Sequence, residues 1–232
     1  MSSREKRLKI LNSELGENGF SEIYWKENYD VPSEMDGIVN AAQHARYIKS
    51  FFDVEFIDIN SIIDFGFGLG FLYSEILKEF NPYKTWGLEP SPFAFEKVRE
   101  RGVPKCPTTQ LTLKNWSLEK WATHAVKRNQ KWFDLGICTS VFQYLSEDSL
   151  KVIIPEMSRR VKFLYFSVPT DLELKRQVKE LGFKDRFALR RSKSFYIKLL
   201  RPHFTIVGNR VLESKFHFDE DSSFFTDYLF RF

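Results

Sequence analysis

Short apolar runs alternate with amphipathic stretches along most of the chain, and several turn residues, among them Asn81-Pro82, Gly102 and Pro169, separate them. The apolar runs predict strands at 61–65, 85–89, within 103–115, at 133–139 and at 161–168. The stretches with helical spacing predict helices at about 70–80, 92–101, 117–128 and 147–160. Such alternation is typical of an α/β fold, in which helices cover both faces of a parallel sheet.

The two ends of the chain depart from this alternation. At the start we predict a short basic helix over 4–15, and a helix that begins after Pro32, with Ser33 as its cap, and runs to about Phe52. At the other end, 204–212 and 224–232 read as strands with no room for a helix between them. We therefore predict that these two strands form an antiparallel pair at one edge of the sheet.

Length and composition predict one main domain with a small appendage. A chain of 232 residues with 43% hydrophobic residues can bury one full-sized core. We assign residues 1–58 to an amino-terminal helical lead and lid segment, and residues 59–232 to the main domain.

The bulk properties predict a cytoplasmic protein with no membrane partner. The chain has only two cysteines, far apart, which we interpret as reduced thiols. No apolar stretch is long enough for a secretion signal or a bilayer span. The net charge of +4 is mild and does not identify a partner.

The stretch S-I-I-D-F-G-F-G-L-G-F, 61–71, places three glycines at alternate positions directly after the first strand. A loop at the carboxyl end of a parallel strand borders the crevice where ligands bind, and glycine lets a ligand approach the backbone. The following helix offers unpaired N–H groups at its start. We interpret the stretch as a ligand cradle; the alternative is a tight turn that is merely rich in glycine.

Two carboxylates narrow the type of ligand. The glycine spacing differs from the dinucleotide fingerprint, because Phe71 stands where the third glycine would fall. Asp64, just before the loop, would repel a pyrophosphate but suit a cationic ligand. Glu89 ends the second strand, where a carboxylate can accept hydrogen bonds from a ribose diol. The alternative for Glu89 is a solvated loop acid.

Three stretches resemble the class I S-adenosylmethionine-dependent methyltransferases. D-F-G-F-G-L-G looks like the glycine-rich loop of that family, W-G-L-E-P-S, 86–91, like its second motif, and F-D-L-G-I-C-T-S-V-F-Q-Y-L, 133–145, like its fourth strand and the turn after it. The resemblance covers about residues 34–232. It implies a Rossmann-like, seven-stranded and mostly parallel sheet with helices on both faces and an antiparallel C-terminal strand. It also implies S-adenosylmethionine (SAM) as the cofactor.

By the same resemblance, Asp64 would orient the amino group of the cofactor, Glu89 would hold its ribose, and Thr139 and Ser140 would lie near the transferable methyl group. Asn115-Trp116 stands where the family has an acid and an apolar residue, so an amide replaces the acid. The cofactor-binding residues implied in this way are Asp64, Gly66, Phe67, Gly68, Gly70, Glu89, Pro90, Asn115, Trp116, Thr139 and Ser140.

The candidate substrate contacts come from the amino-terminal segment, the helix before the first strand and the turn after the fourth strand: Tyr24, Tyr29, His44, Gln143 and Tyr144. Tyr24, Trp25 and Tyr29 could form an aromatic lid over a cationic sulfur or a simple hydrophobic seal. His44 could be a general base or surface or core filler, and Tyr144 could equally serve packing. No other residue stands out as a base, and no set of His, Cys or carboxylate residues has the spacing of metal ligands.

The resemblance implies methyl transfer to a small molecule or a protein side chain. A sulfonium methyl is already activated, so the protein mainly has to align the nucleophile. Two alternatives remain open. One is an RNA methyltransferase that uses the basic segment 159–201, which also reads as a solvated helix face. The other is a scaffold that binds the cofactor without catalysis.

Overall fold

The computed structural model describes residues 20–29, 37–124, 132–182, 185 and 187–225. The helix predicted over 4–15 lies outside these residues, and so does most of the strand predicted at 224–232.

A single seven-stranded sheet organises the protein. The strands are β1 Ser61–Phe65, β2 Lys84–Leu88, β3 Gln110–Lys114, β4 Phe133–Thr139, β5 Val161–Ser167, β6 Phe204–Gly208 and β7 Val211–Ser214. Their order across the sheet is β3-β2-β1-β4-β5-β7-β6. Strands β1 to β5 pair in parallel, whereas β7 runs antiparallel to both β5 and β6. The predicted Rossmann-like, mostly parallel sheet with an antiparallel C-terminal strand is confirmed.

Helices connect the parallel strands. They are α1 Glu22–Tyr29, α2 Ala41–Val54, α3 Phe71–Phe80, α4 Pro92–Arg101, α5 Leu118–Thr123, α6 Glu147–Arg160, α7 Asp171–Leu181 and α8 Lys193–Leu200. A short 3-10 turn, Phe142–Tyr144, follows β4. Four of these helices begin at a serine that accepts a hydrogen bond from a backbone N–H of the first turn, as helix-capping residues do: Ser91, Ser117, Ser146 and Ser192.

The C-terminal strands are not where the sequence pattern placed them. The segment 204–212, predicted as one strand, contains a turn at Asn209 and Arg210 and forms both β6 and the start of β7. Arg210 has a positive φ of 65°, a conformation that tight hairpins require. The prediction of a single strand over 204–212 is therefore wrong, because β6 and β7 pair with each other across this turn. The predicted partner strand at 224–232 lies mostly outside the described residues.

Two helix boundaries also differ from the predictions. Residues 37–40 form a turn, so α2 begins at Ala41 and not soon after Pro32. Gly37 has a positive φ of 82°, and its N–H donates to Asn40 Oδ1, which stabilises the turn in place of a helix. Helix α5 ends at Thr123, because His124 has extended backbone angles, whereas the pattern predicted a helix to about residue 128.

The core lies on both faces of the sheet. Neighbouring Ile62 and Ile63 of β1 point to opposite faces, as strand geometry requires. On one face, Phe52 of α2 packs against Phe163 of β5, with ring centroids 5.1 Å apart. The other face is covered by α5, α6 and α8.

The division of the chain at residue 58 stays a prediction. Among the described helices, none combines the length and apolar character needed to cross a membrane.

The centre of the sheet leaves no room for a side chain at Gly136 of β4. A Cβ there would lie 2.8 Å from the ring of Phe65 and 3.1 Å from Val161, and both neighbours are fully buried. We expect Gly136→Ala to lower the free energy of unfolding by about 1–3 kcal/mol through overpacking. Urea denaturation would measure the change, with the exposed Val152→Ala of α6 as the control. Unchanged stability in Gly136→Ala would contradict this description of the core.

Candidate active site

A large cleft opens at the carboxyl ends of the parallel strands. The chain continues from β1 to β2 and β3 on one side of the sheet and then crosses to β4 on the other. Open α/β sheets bind ligands outside the strand ends at such a reversal of strand order. The cleft has a volume of about 1410 Å³ and is lined by the loop after β1 and by the ends of β2, β4 and β5.

The glycine-rich loop has little space around its backbone. Gly66 and Gly68 have positive φ angles of 133° and 54°, which other residues rarely adopt. A Cβ on Gly66 would lie 2.7 Å from Val141, and one on Gly68 would lie 3.2 Å from the ring of Trp25. Gly70 caps the start of α3. The loop is therefore held in a form that only glycine fits, with its backbone lining the cleft.

Phe67 anchors this loop to β2. Its N–H donates to the carbonyl oxygen of Leu88 (N···O 3.1 Å), and its ring packs beside Tyr73, with centroids 5.9 Å apart. The ring also occupies the space above Gly87 of β2, where a Cβ would lie 2.8 Å from it. The phenylalanine between the first two glycines thus fixes the loop and contributes one wall of the cleft.

Glu89 joins the two loops at the cleft floor. It directly follows β2, is only 4% exposed, and accepts hydrogen bonds from the N–H groups of Gly68 and Ser91, each at 2.8 Å. Burial raises the pKa of Glu89 to about 7, although these two N–H groups favour the ionised form. Glu89 is therefore a buried structural acid and not the solvated loop acid that the sequence left open.

Asp64 lies in β1 as a second buried acid and is also 4% exposed. Burial is the main reason why the pKa of Asp64 lies well above its ordinary value, and the neighbouring charge of Glu89 raises it further. A hydrogen bond from the N–H of Gly66 acts in the opposite direction. Of these two buried acids Glu89 lines the cleft, and their carboxylates, when ionised, favour a cation at this end.

Asn115 and Trp116 flank the same end of the cleft in different ways. The side-chain amide of Asn115 donates to the carbonyl oxygens of Glu89 (2.8 Å) and Pro90 (3.0 Å), so it holds the loop after β2. Trp116 lines the cleft, as Pro90 does, and has Lys114 and Lys120 over its ring. The structure thus brings Trp116 to the cleft surface and uses the Asn115 amide to position backbone.

The amino-terminal segment covers the glycine loop. Trp25 Nε1 donates to Ser91 Oγ (2.9 Å), and Ser91 Oγ in turn donates to the carbonyl oxygen of Phe20 (2.6 Å). Phe20 stacks on Tyr24 with centroids 4.0 Å apart. Both Tyr24 and Trp25 are buried. The side chain of Tyr29 lies outside what the structure describes.

The end of β4 and its 3-10 turn form the opposite wall. Thr139 and Ser140 line the cleft, and Ser140 has a positive φ of 55°. Gln143 and Tyr144 line it as well, and the hydroxyl of Tyr144 donates to Asp185 Oδ2 (2.6 Å). This wall therefore contains four of the residues that the sequence singled out.

His44 lies in a separate cluster. It is buried in α2, where its Nδ1 is hydrogen-bonded to the hydroxyl of Tyr165, and Arg210 Nη1 lies 3.3 Å from both ring nitrogens. Arg210 reaches the rim of the cleft. Within the described ranges, no group of three His, Cys, Asp or Glu side chains could hold a metal ion.

The sequence gives no signal for several residues of the site. Phe20, Phe187 and Asp185 meet Tyr24 and Tyr144 only because the amino-terminal segment and the loop after α7 converge in space. Arg191 was counted with the basic segment, yet its guanidinium donates to the carbonyl oxygens of Phe142 and Leu145 at the 3-10 turn. Such contacts between distant segments leave no periodic pattern in a single sequence.

No protein-family model and no curated protein matches the sequence. Solved structures of class I methyltransferases do share its fold. The plantazolicin methyltransferase BamL, in complex with a triazolic desmethylPZN analog and S-adenosylhomocysteine (SAH), is 14% identical with a TM-score of 0.61, covering 96% of this chain and 84% of BamL. NodS from Bradyrhizobium japonicum WM9, an N-methyltransferase bound to SAH, is 12% identical with a TM-score of 0.54, covering 89% and 97%.

A third similar structure is the magnesium protoporphyrin IX methyltransferase ChlM from Synechocystis PCC 6803 with bound SAH. It is 16% identical, with a TM-score of 0.53, and the match covers 89% of this chain and 97% of ChlM. The fold of this chain is therefore that of the class I SAM-dependent methyltransferases.

The raised pKa of Glu89 predicts a pH-dependent stability. The folded protein binds this proton more tightly than the unfolded chain, because the pKa is about 7 in place of 4.5. Ionisation of the carboxylate therefore lowers the free energy of unfolding above about pH 7. This loss disappears as the pH falls towards 4.5, the pKa of Glu89 in the unfolded chain. Between about pH 4.5 and about pH 8, the free energy of unfolding of the unmodified protein should fall by on the order of 3 kcal/mol more than that of Glu89→Gln.

Urea denaturation at a series of pH values would measure this difference. Glu96→Gln, at a more exposed acid of α4, serves as the control and should show no comparable pH dependence. A difference between Glu89→Gln and the unmodified protein that stays constant with pH would contradict the burial cost described here.

Proposed function

We propose that this protein is a SAM-dependent methyltransferase that acts on a small molecule or a protein side chain. The observation that carries the proposal is the pair of buried carboxylates, Asp64 and Glu89, beside a loop whose glycine positions leave no room for a side chain. The fold supports the proposal, since similar solved structures are methyltransferases with bound SAH.

The charge of the site fits the charge of SAM. Burying two carboxylates close together costs free energy, and a cationic ligand lowers that cost. The sulfonium and ammonium groups of SAM supply positive charge, whereas the pyrophosphate of a dinucleotide would add further negative charge. The pair therefore favours SAM over a nicotinamide dinucleotide.

The hydrogen-bonding capacity of Glu89 also fits a ribose. Each carboxylate oxygen can accept two hydrogen bonds, and here each accepts one from a backbone N–H group. One position on each oxygen remains for the ribose diol. Because Gly68 and Ser91 hold the carboxylate in place, no side-chain freedom has to be lost when the diol binds.

In this proposal SAM supplies an activated methyl group, and the chain supplies alignment and exclusion of water. The nucleophile would form a bond to the methyl carbon as the carbon–sulfur bond breaks, the bonding electrons would remain on sulfur, and the proton of an N–H or O–H nucleophile would pass to solvent. Alignment of this kind can lower the activation free energy by about 7–11 kcal/mol. Thr139, Ser140, Gln143 and Tyr144 line the wall where the acceptor would lie.

The aromatic cover is proposed as the lid of the site. Phe20, Tyr24 and Trp25 pack over the glycine loop, and the hydroxyls of Tyr24 and Tyr144 lie 3.4 Å apart. The lid thus connects the cofactor end of the cleft with the acceptor wall. Aromatic faces are also favourable neighbours for a sulfonium cation.

The basic segment does not identify RNA as the substrate. The guanidinium of Arg160 donates to the carbonyl oxygens of Trp121 and Ala122 and to Glu156, and Arg191 holds the turn after β4. Both arginines thus support the fold around the cleft.

The cytoplasmic location stays a prediction.

Isothermal titration calorimetry with SAH tests the proposed function. We expect one SAH molecule to bind per chain, and Glu89→Ala to weaken binding by on the order of 1.5–3 kcal/mol, or about 10- to 150-fold in Kd. The reason is the loss of the charged acceptor for the ribose diol. Glu96→Ala on the exposed side of α4 is the matched control and should bind SAH normally.

Two results would count against the proposal. One is an absence of SAH binding by the folded protein, and the other is tighter binding of a nicotinamide dinucleotide than of SAH. Circular dichroism of Glu89→Ala would show that any loss of binding does not come from unfolding.

A further inference from the structure

One side-chain oxygen in the cleft accepts no hydrogen bond from the part of the chain that the structure describes. Gln143 is 2% exposed and lines the acceptor wall, and among the described residues its buried Oε1 accepts no hydrogen bond. A buried amide oxygen without a donor typically costs about 1–3 kcal/mol, and such atoms are rare in folded proteins. The structure therefore bears a cost here that a bound hydrogen-bond donor would remove.

The position of Gln143 is tightly held by its surroundings. Its backbone carbonyl accepts a hydrogen bond from the N–H of Leu189 (2.8 Å). Arg191 donates to the carbonyl oxygens of residues on either side of it, Phe142 and Leu145. Hydrogen bonds thus hold the backbone at Gln143, a residue that lines the cleft, and a group that orients a ligand requires such a fixed position.

The neighbouring acid has three of its four acceptor positions filled. Asp185 Oδ1 accepts from the N–H groups of Phe187 (3.0 Å) and Ala188 (3.2 Å), and Oδ2 accepts from the hydroxyl of Tyr144. Gln143 Oε1 differs from it, because neither of its acceptor positions is filled by a described residue.

The cleft is larger than a common ligand site. Its volume of about 1410 Å³ exceeds the roughly 300–1,000 Å³ of common ligand sites. Near β5, β7, α7 and α8 the cleft lining includes five apolar side chains, which we call the apolar channel: Phe166, Leu174, Ile197, Leu200 and Leu212. Glu173, Gln177 and Lys193 of the same two helices also line the cleft. The five apolar side chains match an apolar body.

We propose that Gln143 binds the polar head of the methyl acceptor, which offers an N–H or O–H group to Oε1, and that the apolar part of the acceptor lies in the apolar channel. The inference rests on the proposed function, because it gives the substrate class of the same cleft. It assigns Gln143 as a binding and orienting residue and makes the acceptor an amphipathic molecule with a neutral hydrogen-bonding head.

Octanamide is a probe that has both an N–H donor and an apolar chain, and two control compounds each lack one of these groups. Methyl octanoate keeps the chain but has no N–H, and acetamide keeps the amide but has no chain. We expect octanamide to bind about tenfold more tightly than methyl octanoate, the scale of one hydrogen bond to a buried oxygen. Acetamide should bind far more weakly than either. Ligand-observed NMR titration, with and without saturating SAH, would measure these affinities.

Two substitutions separate ligand binding from structure. Gln143→Leu should lose the preference for octanamide over methyl octanoate, and it should melt at or above the temperature of the unmodified protein, because it removes an unsatisfied buried group. Ile197→Trp should fill the channel and weaken both octanoyl probes while it leaves SAH binding unchanged. The same exchange at exposed Gln110, Gln110→Leu, is the matched control and should leave all probe affinities unchanged.

Equal affinities for octanamide and methyl octanoate would overturn the inference, as would octanamide binding that is unchanged in Gln143→Leu. A lower melting temperature in Gln143→Leu would also overturn it, since the amide would then serve the fold. If SAH does not bind but Gln143-dependent octanamide binding is found, the inference stands and the proposed methyl transfer fails.

Discussion

The carboxylate of Glu89 is the constraint on which the site depends. It accepts the N–H of Gly68 from the loop after β1 and the N–H of Ser91 from the loop after β2, and so fixes two loops of neighbouring strands with one buried charge. Ser91 then accepts Trp25 Nε1 and donates to the carbonyl of Phe20, so the amino-terminal lid depends on the same point. The cleft floor and its cover thus form one hydrogen-bonded unit.

In the proposed function, the buried polar groups of the cleft lower the stability of the fold and serve to bind ligands. Burial raises the pKa of both Asp64 and Glu89, which means that the protein holds these groups where their ionised forms are disfavoured. The unpaired oxygen of Gln143 is a second such cost, at the opposite wall. Native folds commonly carry such costs at functional sites. In our proposals the two costs correspond to two ligands: a cation at one end of the cleft and a neutral hydrogen-bond donor at the other.

Most of the fold could be predicted from the sequence, because strands β1, β4 and β5 are continuous apolar runs between helices. The glycine loop and Glu89 could be predicted as well, since the three glycines directly follow the first predicted strand and Glu89 ends the second. The hairpin of β6 and β7 could not, because the turn at Arg210 interrupts a run that reads as one strand. The hydrogen bonds of the Gln143 backbone carbonyl and of the Tyr144 hydroxyl could not be predicted either, since contacts across distant segments depend on the packed loop after α7.

The most direct test of the central claim is a crystal structure of the protein with SAH. The account predicts that the ribose hydroxyls lie within hydrogen-bond distance of Glu89, that the ligand passes over Gly66 and Gly68, and that its sulfur faces Thr139 and Gln143. It also predicts that the apolar channel stays free of SAH. Density for SAH outside this cleft, or a ribose away from Glu89, would contradict the account.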